Sequence, residues 1–200
     1  MSAIPAKAGI HLRCWPPAIA DVTKWAAALM FVAAASCRAA PAAPDRSVAH
    51  TPAGDFKLTG RVVDDAQIIP AATEQQLSAR SESLEKDTTD QLVVVTLPNL
   101  RGAAIEQVGL ALGRGWGIGR RGLDNGVILL VAPNDQKVRI EVGYGLERLL
   151  SDDRAGKIVR DMLPVFSARQ PDKAISLGED EIIQVLESDK RRPQYLRKPA

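Results

Sequence analysis

Two runs of this chain are apolar at almost every position: "QLVVVTL" from Gln91 to Leu97 and "GVILLVA" from Gly126 to Ala132. Side chains along a strand alternate between the two faces of a sheet. A strand that is apolar at odd and even positions alike must be covered on both sides, as in a sheet packed between helices. The remaining segments supply the cover. "PAATEQQLSARSESLEKDT" has Pro70 at a first turn and Leu77 and Leu84 on one stripe. "GAAIEQVGLALGRGW" turns Ile105, Val108, Leu112 and Trp116 to the core. "SDDRAGKIVRDMLPVF" starts a third helix with Ser151 or Asp152 as N-cap, and Pro164 is expected to kink or end it. "PDKAISLGEDEIIQVLES" reads as a fourth helix. Val62-Val63 is a short extended piece, and "KVRIEVG" is joined to "GVILLVA" by the turn-like "PNDQ". The order is β-α-β-α-β-β-α-α. It predicts an α/β fold, a three-layer α/β/α sandwich with a mixed central sheet, as a single domain over residues 58–188.

The N-terminal part differs in kind. "KWAAALMFVAAASC" sets Lys24 before an apolar and small-residue run that ends at Ser36-Cys37. A basic residue, a short apolar core and small residues make a secretory signal over residues 1–37, too short to span a bilayer as a stable anchor. "AAASC" resembles a bacterial lipobox, which makes Cys37 the lipid-bearing residue and gives the protein a lipid anchor. Cleavage in "RAAPAAPD", for example after Ala42, is the other reading. Residues 38–57, rich in Ala, Pro and Asp without periodicity, read as a flexible tether. Residues 189–200 form a basic tail. The expected location is the periplasm, free or tethered to a membrane on its periplasmic side.

Export changes the available chemistry. Loss of Lys7, Arg13, Lys24 and Asp21 takes 26 basic and 24 acidic residues to 23 and 23. The basic balance of the whole chain is thus no argument for nucleic acid as a partner. Both cysteines, Cys14 and Cys37, lie in the removed or lipidated part, so no disulfide or Cys-based metal site is expected in the domain. His11 leaves with the signal and His50 falls in the expected tether, which leaves the domain no histidine for a Ser-His-Asp triad.

Four features occur in one order: "VVDDA", "GWGIGRRGLDNGVILLVA", "VRIEVGYGLERLLSD" and a following helix. Together, over about residues 58–187, they resemble the TPM domain family of thylakoid-lumen, photosystem-repair and bacterial exported proteins. The resemblance implies an α/β/α sandwich and an acidic site for a divalent cation, commonly Ca²⁺, with Mg²⁺ as the alternative. It also implies a role in assembling or maintaining membrane-associated complexes. Plant relatives imply a second activity, an acid phosphatase acting on phosphomonoesters. The sequence departs from the family's pattern at "RQPDKAIS", where Gln170-Pro171-Asp172 and Ala174 replace a Gly-Asp-aromatic turn and its following Gly.

Asp64, Asp124, Glu141 and Asp152 sit at element ends or on the strand nearest them. Loops at one edge of an open α/β sheet converge on one crevice, and Ca²⁺ takes six to eight oxygens from carboxylates, carbonyls and water. These four are therefore the expected metal ligands. Gly122, Gly126, Gly143 and Gly145 would let backbone approach that crevice without Cβ clashes. Glu141 is the most unusual of the four, because carboxylates are depleted in strands. Arg139 shares its sheet face, so a surface ion pair is the other reading. "GRGWGIG" has the glycines of a phosphate loop but not the lysine or the strand-to-helix context. No nucleophile-base pair is visible, so the favoured expectation is a cation-binding interaction module of the cell envelope, with a metal-dependent phosphatase second.

Overall fold

The structure, a computed structural model, describes residues 47–188. The expected signal with Cys37, the first part of the tether and the basic tail lie outside the described residues. The elements run β1 (Val48–Thr51), β2 (Gly54–Lys57), β3 (Val62–Asp64), α1 (Ala71–Thr88), β4 (Gln91–Thr96), α2 (Ile105–Trp116), β5 (Gly126–Ala132), β6 (Lys137–Val142), α3 (Asp152–Ser167) and α4 (Pro171–Glu187). From β3 onward this is the order read from the sequence.

The central sheet has the order β3-β4-β5-β6. β3, β4 and β5 are parallel, and β6 returns antiparallel beside β5. Two-sided burial is met residue by residue. Leu92 and Val94 of β4, with Val127, Leu129 and Val131 of β5, enter one core with α1, α3 and α4. Val93 and Val95, with Ile128, Leu130 and Ala132, enter a second core with α2. Leu77, Leu84, Leu112 and Met162 are fully enclosed, and each such side chain contributes about 1.5–3 kcal/mol by leaving water. The three layers are thus α1/α3/α4, the sheet, and α2 with the β1–β2 hairpin.

That hairpin corrects the expected tether. Residues 48–57 are not a linker: Val48 pairs with Lys57 and Thr51 with Gly54. Ala49 and Ala53 are buried, and the Trp116 indole N–H donates to the Phe56 carbonyl at 3.1 Å. Small residues made the segment look featureless, yet their size is what allows the contact. A Cβ added at Gly115 of α2 would lie 2.7 Å from the Ala49 Cβ. His50 therefore belongs to the folded unit, against expectation. Its ring lies 2.8 Å from the Asp55 carboxylate on the exposed side of the hairpin.

Pro164 does not end α3, which continues to Ser167. Ser151 is its N-cap but makes no side-chain cap hydrogen bond. Among the described residues no helix is long and apolar enough to cross a membrane.

Candidate functional site

Sheet direction decides where the four predicted ligands lie. β3 and β5 are parallel, so the end of one and the start of the other lie at opposite edges of the sheet. Asp64 ends β3, in register with Thr96 at the end of β4. Asp124 precedes β5, near the start of β4, where Gln91 pairs with Gly126. The Asp64 carboxylate is also engaged. It accepts the Ile69 N–H at 2.9 Å, the Ile68 N–H at 3.3 Å and the Thr96 hydroxyl. It closes the turn into α1 and does not join the other three.

Asp124 is exposed and has φ +46°, in the loop before β5. Its backbone is held on both sides: its N–H donates to the Arg120 carbonyl at 2.9 Å, and its carbonyl accepts the Gly145 N–H at 3.1 Å. The buried anchor of "DNG" is its neighbour. Asn125 donates to the Thr89 carbonyl at 2.8 Å and to the Asp90 carboxylate at 3.1 Å, and accepts the Arg120 N–H at 2.8 Å. Sequence reasoning passed over Asn125. A buried amide between a charged residue and a glycine at a strand start was the available signal.

Glu141 lies on β6 opposite Ile128 and faces α2. Gly109 of α2 makes room for it, since a Cβ there would stand 3.3 Å from Glu141 Oε2. The Arg139 Nε–H donates to the same oxygen at 3.0 Å, so the surface ion pair exists. Asp152, the first residue of α3, is exposed.

Three acidic side chains share one depression. Arg139, Glu141, Glu147, Ser151 and Asp152 line a groove of about 340 Å³ along β6. Glu141 and Glu147 also border a second cleft of about 230 Å³, together with Leu110, Arg114 and Tyr144. β6 is an edge strand, and no described strand pairs on its outer side. Leu110 is 41% exposed and Tyr144 78%. The surface is therefore a sheet edge flanked by carboxylates and by two exposed apolar side chains.

As a set, Asp64, Asp124, Glu141 and Asp152 do not fit one metal ion. Asp64 is at the other edge, Glu141 is paired with Arg139, and among the described residues no three His, Cys, Asp or Glu side chains are grouped to hold an ion. Glu147 and Asp152 remain as exposed carboxylates on one groove.

A family model described as TPM domain matches residues 62–185. Among solved structures, the N-terminal domain of a protein from P. gingivalis is 31% identical with a TM-score of 0.62, covering 67% of this chain and 86% of that one. The N-terminal domain of the cg2496 protein from Corynebacterium glutamicum is 14% identical with a TM-score of 0.53, covering 68% of this chain and 85% of that one. The BA42 protein from the psychrophilic bacterium Bizionia argentinensis is 18% identical with a TM-score of 0.53, covering 62% and 88%. The last two are similar in fold. No curated protein matches this chain.

Proposed function

This chain belongs to the TPM domain family, and from that premise we propose that it is an exported interaction module that supports membrane-associated complexes of the cell envelope. One observation carries the reading: Leu110 of α2 and Tyr144 stand exposed on the cleft that Glu141 and Glu147 also line, next to β6, whose outer side no described strand pairs. Aromatic side chains are enriched at the cores of interfaces, and exposed sheet edges are sites for strand addition. The export part rests on the run from Lys24 to Cys37. A phosphatase is less well supported. Among the described residues neither the groove nor the cleft is lined by His, Cys or Lys, so protonating a leaving group would fall to carboxylates or to the Tyr144 hydroxyl.

Both apolar side chains are exposed, so truncating them should change stability by no more than about 0.5 kcal/mol. The full chain, used as bait on detergent-solubilised envelope, is expected to retain a defined membrane complex. The Tyr144→Ala/Leu110→Glu double variant, with an unchanged melting curve, is expected to lose it. Equal retention by both proteins would remove this surface from the proposal.

A divalent cation, Ca²⁺ first and Mg²⁺ second, belongs to the proposal through Glu147 and Asp152. Hard cations take carboxylate oxygens and complete their shell with carbonyls and water. A cation that binds only the folded state stabilises it by about 2.7 kcal/mol at a hundredfold excess over Kd. Millimolar Ca²⁺ is thus expected to raise the melting temperature by roughly 2–4 °C per kcal/mol. Glu147→Gln/Asp152→Asn is expected to abolish the rise, and Asp64→Asn to leave it. A melting curve indifferent to both cations would take the metal out of the account.

A further inference from the structure

A different cavity lies at the other end of β6. It measures about 640 Å³, within the roughly 300–1,000 Å³ of small-molecule sites. It opens between the β5–β6 turn and the corner where α3 meets α4. Val131, on its floor, is buried in the first core, and Val138 and Phe166 pack against that core. Leu163 lines it and is 44% exposed, a large apolar side chain left facing water. Among the described residues the charged ones of the lining are Lys137 and Arg169, with no carboxylate beside them in it. Among the described residues neither cation makes an ion pair.

Both cations stand on fixed turns. Lys137 follows Gln136, whose φ is +53° and whose N–H donates to the Pro133 carbonyl at 3.1 Å. Arg169 has φ +59° and donates its N–H to the Phe166 carbonyl at 2.9 Å. The floor strand is paired on both sides, Val131 with Val138 and with Leu97 through its carbonyl at 2.9 Å. β5 thus offers no free ladder positions for an added peptide strand, and the unpaired side is that of the edge strand β6. An apolar trough with two unpaired cations at its rim complements one long apolar body that ends in a negative charge. The corner is also where the sequence leaves the pattern it otherwise resembles, at Gln170-Pro171-Asp172.

We propose that this groove binds a free single-chain amphipathic carboxylate. The alkyl chain would lie against Val131, Val138, Leu163 and Phe166, and the head group between Lys137 and Arg169.

The test is calorimetric titration of the full chain with dodecanoate below its micelle concentration. Dodecanol serves as the neutral control of equal chain length, and butyrate as the anionic control without a chain. Saturable binding of dodecanoate is expected, at least tenfold tighter than of either control. Lys137→Glu/Arg169→Glu alters two exposed side chains and should keep the wild-type melting curve while weakening dodecanoate at least tenfold. In the unaltered protein, intermolecular NOEs from the alkyl chain should reach Leu163 and Phe166, which locates the ligand even if a variant is unstable. The proposal is overturned by no saturable binding, by equal affinity for dodecanol, or by NOEs to Tyr144 and Leu110 instead. Association only with dodecanoate-containing vesicles, and not with the free acid, would also overturn it in favour of a membrane surface.

Discussion

Gly145→Ala is expected to destabilise the protein by about 3 kcal/mol or more, at or beyond the upper end of ordinary overpacking. A Cβ at this position would stand 1.9 Å from the Leu123 carbonyl oxygen and 3.2 Å from that of Asp124. Those are backbone atoms, so no side chain can rotate away. Gly143 is in the same position, 2.1 Å from the Asp124 oxygen. The backbones of the loop before β5 and the turn after β6 lie directly on one another, joined by Gly143 N–H to Gly126 at 2.8 Å and Gly145 N–H to Asp124 at 3.1 Å. The control is Gly122→Ala. Gly122 has φ +82° but open space around a Cβ, so it should cost only the left-handed strain, about 1–2 kcal/mol. Denaturant midpoints at unchanged slope would measure both effects. A Gly145→Ala cost at or below that of Gly122→Ala would mean that the two segments do not touch in solution.

These glycines show how far the sequence could be read. Close backbone approach was foreseeable from their spacing. That the approaching backbone is the chain's own, and not that around a bound ion, was not. The all-apolar β4 and β5 fixed the layered fold, because no other arrangement covers Val93 and Val94 at once. The site was less legible because residue type does not report strand direction. Asp64 and Asp124 look equivalent as carboxylates at strand ends, yet the parallel pairing of β3, β4 and β5 puts them on opposite edges. The hairpin at 48–57 was hidden because its contacts are made by alanines and glycines, which carry almost no hydrophobic signal.

Glu179 was hidden too, inside "GEDEIIQ", which looks like a solvated run of charge. The signal was its phase: Ile175 and Ile182, four before and three after it, are both buried. Glu179 is fully buried on the seam between α1 and α4. Ser81 donates to its Oε1 at 2.9 Å. Arg80 stands 3.7 Å from Oε2 and pairs more closely with Asp180 at 2.8 Å. These are charge contacts without hydrogen-bond geometry, and Oε2 and the Arg80 Nη1 remain without a hydrogen-bond partner among the described residues. Burial pushes the carboxyl up to about 7, against the Ser81 hydrogen bond and the Arg80 charge.

The folded state therefore holds this proton more tightly than the unfolded chain does. The resulting stability is fully present below pH 4.5 and is lost as pH rises through about 7. The loss is expected to approach about 3 kcal/mol in alkaline solution, at about 1.36 kcal/mol per unit. Glu179→Gln keeps an oxygen for Ser81 and removes the titration. Between pH 5 and 8.5 the melting temperature of the natural protein should fall relative to that of the variant. Two parallel curves would show that Glu179 reaches water in the folded state.

The α1–α4 seam joins residues 98 positions apart in the chain, and α4 is the last described element, packed against α3 and α1. Such an element can detach while the sheet stays intact, as a cooperative unit with an opening free energy of its own. Detachment returns Glu179 to water, where it ionises without penalty, so between about pH 4.5 and 7 the opening becomes easier with each added pH unit, and above about 7 it levels off. Once intrinsic exchange rates are allowed for, the amides of α4 would lose protection as pH rises from about 4.5 to 7, while those of β4 and β5 kept theirs. A single buried carboxyl thus sets how often one helix of the outer layer breathes, independently of the sheet it covers.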